Sequence, residues 1–269
     1  MREVICNRNY YNDNGVLLAA KGTLISENKL RDLNRLDTKN NYDGADGKER
    51  DLVIDRADVF RNNHENVNVP VLNRASSELI EVLSDSKLKP WNMHINALSS
   101  YLDCLYTHSV EVALVSLMIA IGLGYPPSDQ LDLGLGAILH DVGKILIPRK
   151  ILLKKENNGI GEDSIIRQHC ELGWNSMSDS DIPDSSREII LQHHERLDGS
   201  GYPNQLKGDE ISNYSKIVMV ADSFCRLTSG GSLREPSEVL MEFRQQDRLF
   251  SEECLNELCR LFTSDKKNY

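Results

Sequence analysis

The stretch His140-Asp141-Val142-Gly143-Lys144, directly after the apolar run Leu133–Leu139, decides how we interpret the fold of this chain. It places an imidazole, a carboxylate and an ammonium close together, at the end of a segment that we expect to be a buried helix. Polar groups are costly to bury unless something pairs with them. Two metal ions and a phosphate would serve as such partners, and the rest of the sequence must then supply the other metal ligands.

The composition is that of a soluble globular protein, with 40% hydrophobic and 27% charged residues among 269. A net charge of −10 argues against a broad DNA- or RNA-binding surface, although bound cations can reverse the field locally. The six cysteines form no Cys-x-x-Cys pair, which is typical of reduced thiols in a cytosol. The amino terminus lacks a signal-peptide pattern, and the apolar run Val110–Gly124 is too short to span a bilayer. We therefore predict a cytoplasmic protein with no membrane span.

The sequence pattern changes at about residue 68. Residues 1–68 contain short β-like runs separated by turn residues, and we predict a small α+β domain. Within it, the polar residues 38–51 are predicted to form a linker. Residues 69–269 have helical apolar spacing with no strand alternation, which predicts an all-α main domain. Helices are predicted over Leu72–Leu83, Met93–Leu123, Glu162–Met177, Ser185–Glu195, Tyr214–Thr228 and Glu238–Phe262, the last with a break near Ser251.

Five of the seven histidines lie in or beside predicted helices of the main domain: His108, His140, His169, His193 and His194. Any one of them alone is more often a hydrogen-bonded core or surface residue than a metal ligand. The adjacent pairs His140-Asp141 and His193-His194 change this weighing, because neighbours on a helix point about 100° apart and can serve two sites. Two metals roughly 3.5–4 Å apart are the usual equipment for attack on a phosphodiester. Ligation that is rich in imidazole favours Fe, Mn, Ni or Zn over Mg or Ca.

Four motifs occur together in the main domain: His108-Ser109, the stretch from His140 to Lys144, the stretch from His193 to Pro203 (HHERLDGSGYP), and Val220-Ala221-Asp222. From about residue 100 to 230, the chain resembles the HD-GYP family, a branch of the HD phosphohydrolases. This resemblance implies an all-α HD-type helical domain that hydrolyses cyclic di-GMP to pGpG, with GMP as a further product, in bacterial second-messenger signalling. It also implies partners: cyclic di-GMP or a related cyclic dinucleotide, GGDEF-type proteins, or a second copy in a homodimer. The stretch Gly15–Thr23 resembles segments that precede HD-GYP domains, which implies a regulatory role for residues 1–68.

The resemblance implies a binuclear centre with seven metal ligands: His108, His140, Asp141, His169, His193, His194 and Asp222. The two ions are expected to be Fe or Mn, with Ni or Zn as other options. Asp141 and Lys144 are the implied catalytic residues, with Asp141 bridging the ions and Lys144 holding a phosphate oxygen. Tyr202, in its Gly- and Pro-rich loop, and Arg234 are the other predicted substrate contacts.

The segment after Asp222 departs from the family pattern. Cys225 stands where a second Asp is expected, and Gly231 stands where a substrate-contacting Arg is expected. Some members have a Glu that helps to hold a third metal; Cys104 stands in its place here, so we predict two metals. The loss of one phosphate contact would remove about 1.5–3 kcal/mol of binding. Two alternatives therefore stay open: a metal-loaded but weakly active or inactive protein that acts as a cyclic-dinucleotide sensor or protein-interaction module, and an enzyme for another nucleotide phosphoester.

Overall fold

The computed structural model describes residues 3–5, 10–11, 17–19, 24–26, 29, 45–87, 89–153, 160–229, 234–246 and 248–262. The chain divides into two compact units, Met1–Asp55 and Arg56–Tyr269. Four short strands lie in the first unit: β1 (Glu3–Ile5), β2 (Tyr10–Tyr11), β3 (Leu17–Ala19) and β4 (Leu24–Ser26). β1 pairs antiparallel with β4, and β2 pairs antiparallel with β3. The small α+β segment at the amino terminus is confirmed, whereas a domain boundary after residue 68 stays a prediction.

The rest of the described chain is helical, which confirms the predicted all-α main domain. Its helices are α1 (Ala45–Asn63), α2 (Val69–Ser86), α3 (Asn92–Tyr101), α4 (Asp103–Gly122), α5 (Pro127–Leu139), α6 (Arg149–Leu152), α7 (Ile160–Arg167), α8 (His169–Ser176), α9 (Asp184–Gln192), α10 (Asn213–Thr228), α11 (Pro236–Gln245) and α12 (Glu252–Phe262). Short 3-10 turns cover Val142–Leu146 and Gly208–Glu210.

Helix α4 is the centre of the core. Its apolar side chains from Val110 to Ala120 are fully buried, and it packs against α2, α5 and α10. A helix that is apolar on all sides is expected in such a position. By length and composition alone Cys104–Gly122 could cross a membrane, which the shorter apolar run Val110–Gly124 did not indicate. However, 72% of its apolar window is buried inside the structure, as in the core helix of a domain.

Three of the predicted elements differ from the structure. The predicted helix Met93–Leu123 is broken at Leu102, which has extended backbone angles of φ −148° and ψ 116°. The predicted helix Glu162–Met177 is interrupted at Gln168, between α7 and α8. The linker prediction was wrong for residues 45–51, because α1 already begins at Ala45. The helix continues through Val53, Ala57 and Phe60, which are buried at i, i+4 and i+7, and such packing overrides the local turn residues.

Close packing of the turn after α5 against α8 brings the His140–Lys144 stretch next to the predicted ligand His169. A Cβ atom on Gly143 would overlap the carbonyl oxygen of His169 and crowd the backbone nitrogen of Gly173. Only glycine therefore lets the turn that carries His140 and Asp141 lie directly on the start of α8.

Candidate metal centre

All seven predicted metal ligands lie in one cluster, which we call the His-Asp cluster: His108, His140, Asp141, His169, His193, His194 and Asp222. Six of them are buried, and the side chain of His108, at 19% exposure, is the most open. His140 and His193 cap the carboxyl ends of α5 and α9, and His169 begins α8. Three of the seven ligands are therefore supplied by the ends of helices.

Three ligands group around one position. Nε2 of His108 lies 2.9 Å from Oδ1 of Asp222, and Nε2 of His140 lies 3.8 Å from the same oxygen. Nε2 of His140 is also 3.4 Å from Oδ2 of Asp141. One imidazole or carboxylate atom from each of His108, His140 and Asp222 falls within 4.8 Å of the others.

Three other histidines surround a second position. Nε2 of His169 lies 3.1 Å from Nε2 of His193, and ligand atoms of both lie within 4.8 Å of one on His194. Oδ1 of Asp141 faces this group, at 3.3 Å from Nε2 of His169 and 3.7 Å from Nε2 of His193. The two carboxylate oxygens of Asp141 therefore face different positions, which is the arrangement that a bridging ligand needs.

The outer nitrogens of three rings are fixed by backbone carbonyls. Nδ1 of His140 donates to the carbonyl oxygen of Ala137 at 2.7 Å, and Nδ1 of His169 donates to that of Ile166 at 2.6 Å. Nδ1 of His193 is 3.1 Å from the carbonyl oxygen of Ile190. Such bonds select the tautomer in which Nε2 carries a lone pair, as is usual behind metal-binding histidines.

Two buried atoms at the heart of the cluster lack a hydrogen-bond partner among the described residues: Nε2 of His140 and Oδ1 of Asp141. Leaving a buried polar atom without a hydrogen-bond partner costs about 1–3 kcal/mol, so two such atoms in the same cluster require an explanation. Both atoms offer lone pairs, and a cation accepts lone pairs from nitrogen and oxygen at once. The residues of the cluster therefore fit a bound metal.

The ionisation of the cluster also favours cations. Burial lowers the pKa of His193 to about 3 and holds the pKa of His194 well below its usual value, so both rings are neutral. Burial opposes ionisation of Asp141, but Lys144 and His140 outweigh it and keep the pKa of this carboxyl well below its usual range. The pKa of Asp222 is likewise low, because Arg226 and His108 outweigh its burial. Two carboxylates thus stay charged in a cluster in which the rings of His193 and His194 are neutral, while the charge of Asp141 outweighs burial and raises the pKa of His140.

The predicted substrate residues Lys144 and Tyr202 border the cluster. Nζ of Lys144 donates to Oδ2 of Asp141 at 2.5 Å. The ring of Tyr202 stacks on His194, with centroids 4.7 Å apart and an interplanar angle of 29°. The guanidinium carbon of Arg167 lies 4.9 Å from the centroid of the Tyr202 ring. Lys144 and Tyr202 therefore both adjoin cluster ligands.

The loop that carries Tyr202 is held by a buried carboxylate that sequence reasoning missed. Glu195 accepts hydrogen bonds from the backbone N–H groups of Asn204 at 2.7 Å and Leu206 at 3.0 Å. A Cβ atom on Gly201 would overlap the backbone of Glu195, so glycine permits the loop to pass this close. The only signal in the sequence was the position of Glu195 directly after the two histidines.

Two further residues at the cluster were also missed. Sγ of Cys170 lies 3.6 Å from Nε2 of His169 and belongs to the same group of candidate ligands as His193 and His194. Burial raises the pKa of this thiol, so it is protonated and a weaker ligand than the imidazoles. Arg226 contacts both Asp222 and His194. Neither residue belongs to the motifs, and their one signal was proximity to His169 and Asp222 in the sequence.

Among the described residues, Arg234, Cys104 and Cys225 belong to none of the groups of candidate metal ligands. Arg234 pairs with Glu242, with Nη1 and Oε2 2.7 Å apart, and its backbone N–H donates to the carbonyl oxygen of Leu227. Cys225 is buried, and Cys104 is a free, exposed cysteine. Gly231 lies outside the described residues.

Comparison with known proteins agrees with this geometry. A family model described as HD domain matches residues 92–248, which is more than half of the chain. The chain belongs to the HD domain family. The predicted HD-GYP resemblance, within the HD superfamily, is also confirmed.

Relatives of this HD domain chain include named phosphodiesterases. A cyclic di-GMP phosphodiesterase from Thermotoga maritima is 39% identical over 158 residues, covering 58% of this chain and 43% of that relative. A 3'3'-cGAMP-specific phosphodiesterase 2 from Vibrio cholerae is 33% identical over 175 residues, covering 64% of this chain and 31% of that relative. The chain thus spans less than half the length of each.

A solved structure shares the fold of the HD domain chain. It is described as Bd1817, a HDG"Y"P protein from Bdellovibrio bacteriovorus, and it matches with a TM-score of 0.55. The match covers 95% of this chain and 94% of that one, at 18% sequence identity. At this identity the likeness concerns the fold alone.

Proposed function

We propose that the chain is a metal-dependent phosphodiesterase that opens cyclic di-GMP to pGpG, with GMP as the product of a further cleavage. The observation that carries this proposal is the placement of Asp141, whose two oxygens face two separate groups of imidazoles. The names of the relatives, among them the cyclic di-GMP phosphodiesterase of Thermotoga maritima, support the same reaction class. Hydrolysis of a cyclic dinucleotide to pGpG is a phosphodiester cleavage, for which paired metals are suited.

In this proposal the seven residues of the His-Asp cluster hold two divalent ions, with Asp141 shared between them. Iron or manganese is the proposed metal, with nickel or zinc as other options, because imidazole is the predominant ligand. Bound ions of this kind activate water and offset the negative charge that builds up on a phosphoryl group. The carbonyl contacts behind His140, His169 and His193 keep these rings oriented for ligation.

The surrounding side chains orient the substrate. Lys144, fixed on Asp141, supplies an ammonium to a non-bridging phosphate oxygen. Tyr202, stacked on His194, borders the same space and is proposed to pack against the substrate. The oxygen of a water molecule would then bond to phosphorus as the bond from phosphorus to the 3′ oxygen breaks, and one proton of that water would end on the 3′ oxygen.

The proposed setting is the bacterial cytoplasm, where cyclic di-GMP acts as a second messenger. Among the described cysteines, Cys104, Cys170, Cys225 and Cys254 are free thiols, in keeping with a reducing compartment. GGDEF-type proteins and a second copy of this chain are the proposed protein partners, and the region up to residue 68 is the proposed regulatory domain.

Turnover by the metal-loaded chain tests the proposed function. The full chain is reconstituted with Fe or Mn under reducing conditions, its metal content is measured, and it is incubated with cyclic di-GMP. We expect pGpG to appear, and we expect His193→Ala to lose most of this turnover because one position loses a ligand. Absence of pGpG from wild-type protein with a full metal complement contradicts the proposal.

A related cyclic dinucleotide is the second candidate substrate, favoured by the likeness to a 3'3'-cGAMP-specific phosphodiesterase. Cyclic di-GMP and 3'3'-cGAMP in one reaction compete for the same site, and the ratio of their products gives the preference directly. The non-catalytic alternative is less favoured, because the relatives are named phosphodiesterases. Calorimetry that found tight binding of a cyclic dinucleotide without turnover would restore that alternative.

A further inference from the structure

Arg226 places a guanidinium directly on the His-Asp cluster. Its Nε donates to Oδ1 of Asp222 at 3.0 Å, and its Nη2 lies 3.3 Å from Nε2 of His194. Asp222 and Arg226 are one helical turn apart on α10, so the contact is built into the helix. The side chain of Asp222 is 2% exposed, whereas that of Arg226 is 44% exposed. The guanidinium therefore connects a buried ligand with the solvent side of the cluster.

The hydrogen-bonding capacity of Arg226 exceeds what these two contacts use. A guanidinium has about five N–H donors in a planar fork, and the contacts to Asp222 and His194 engage two of them. A ligand that takes the lone pair of His194 Nε2 also releases the donor on Nη2. The bond from Nε to Asp222 meanwhile keeps the plane of the guanidinium in place. Such a fork matches the oxygens of a phosphate group.

Arg226 and Lys144 border the cluster at different ligands. Lys144 contacts Asp141, while Arg226 contacts Asp222 and His194. Tyr202 stacks on the same His194 ring that Arg226 touches. An anion above the cluster would thus meet an ammonium, a guanidinium and an aromatic ring, on a chain whose net charge is −10.

We propose that Arg226 is a phosphate ligand of this chain, held on the metal centre by Asp222. This inference rests on the proposed function and names the residue that grips the substrate. It also accounts for the altered segment after Asp222, in which the expected arginine position is occupied by Gly231. Arg226 supplies a positive charge in this segment. It is nearer to Asp222 in the sequence than Gly231 is, and it contacts two cluster ligands, Asp222 and His194.

The test compares Arg226→Met and Arg226→Lys with wild type and with the control Arg196→Met. Arg196 is a matched control because it lies close by but contacts the carbonyl oxygen of Glu195, Oγ of Ser223 and the ring of Phe250 instead of cluster ligands. Each full-length, metal-loaded protein is assayed for metal content, for KM and kcat with cyclic di-GMP, and for inhibition by inorganic phosphate. Calorimetric titration with inorganic phosphate and pGpG provides a readout without turnover.

We expect Arg226→Met to raise KM and weaken phosphate and pGpG binding by about 10- to 100-fold, the range for one lost charge-assisted hydrogen bond. Metal content is expected to stay at the wild-type value. Arg226→Lys should be intermediate, because an ammonium keeps the charge but loses the fork. Arg196→Met should change these constants by less than about threefold, as for a charge without direct contact.

Two results overturn the proposal. One is unchanged KM and unchanged phosphate binding in Arg226→Met. The other is a change in metal content that accounts for the whole effect, because Arg226 would then act on the ions rather than on phosphate. If wild-type protein hydrolyses no cyclic dinucleotide, the proposed function fails, and the phosphate and pGpG titrations alone decide the role of Arg226. The Arg226→Lys variant keeps the ion pair with Asp222, so it decides the matter if Arg226→Met does not fold.

Discussion

The His-Asp cluster and the segment that follows it on α10, from Ser223 to Thr228, lie side by side but are built differently. The cluster is buried, and its rings are fixed by backbone carbonyls and helix ends. In the segment, Cys225 is 1% exposed, whereas Arg226 next to it is half-exposed and reaches back to Asp222. One residue along the helix therefore separates a side chain in the core from one at the mouth of the site.

This difference shows which sequence changes matter at the site. Cys225 replaces an expected Asp, but its side chain is in the core, and burial holds the pKa of its thiol well above the usual value. The change therefore affects packing and removes no contact at the mouth of the site. Groups that bind substrate lie at the solvent-exposed edge of the site. There, a charged side chain at a different position of the helix can still reach the same part of the substrate. Metal ligands have no such freedom, because several of them must meet at one point.

Replacing Lys144 by Met should produce the largest loss of turnover among changes that leave the ligands intact. Lys144 is proposed to stabilise charge on the phosphate, and the loss of one such donor lowers kcat by about 100-fold or more. Its contact with Asp141 is lost too, so metal content must be measured in the same samples. Lys144→Arg is the matched variant that keeps the charge. A Lys144→Met protein with full metal and wild-type kcat would contradict the role of this ammonium.

Replacing Arg234 by Met sharpens the comparison on the substrate side. Arg234 was predicted as a substrate contact, but its guanidinium is engaged by Glu242. We therefore expect KM for cyclic di-GMP to change by less than about threefold, because exposed ion pairs contribute little. Steady-state kinetics next to Arg226→Met give the comparison directly. If Arg234→Met raises KM more than Arg226→Met does, then Arg234 and not Arg226 is the main arginine contact to the substrate.

The pH dependence of stability should depend on a histidine outside the cluster. His64 is buried among Phe60, Phe262 and Phe224, and burial lowers its pKa to about 4. Between that value and about 6.5 the unfolded chain takes up a proton that the folded chain does not, so stability falls as pH falls.

Replacing His64 by Leu tests this linkage. When the pH is lowered from about 7.5 to about 5, the free energy of unfolding of wild type should fall by about 2 kcal/mol more than that of His64→Leu. Urea denaturation of both proteins at the two pH values measures the difference. Equal losses in both proteins would show that His64 titrates normally in the folded state.

Much of the fold could be predicted because apolar spacing is a local property. Leu72, Leu79 and Leu83 repeat with helical spacing and are all buried on α2. The break at Leu102 could not be predicted in this way, because neither proline nor glycine marks it. Leu102 has extended backbone angles, and α3 packs on α4, on α5 and on the turn Val142–Leu146, contacts that apolar spacing does not reveal.

The residues of the site likewise divide into those that could be predicted from the sequence and those that could not. Six of the seven ligands lie in the four motifs, and the family resemblance implied the seventh, His169; the structure brings all of them together. Glu195 was missed because the loop backbone that it holds comes close to it only in the folded chain. Cys170 and Arg226 are sequence neighbours of His169 and Asp222, but they lie outside the motifs. The two-sided placement of Asp141 likewise depends on the approach of α8, which Gly143 permits.

The central claim is that Asp141 joins two metal positions, and metal analysis of purified protein tests it most directly. Wild type, Asp141→Ala and the control Asp209→Ala, whose carboxylate is exposed on the surface, are loaded with metal and freed of unbound ions. We predict about two ions per chain in wild type and in the control, and a loss of at least one in Asp141→Ala, because both positions lose a shared ligand. Equal metal in all three proteins would contradict the bridging role of Asp141.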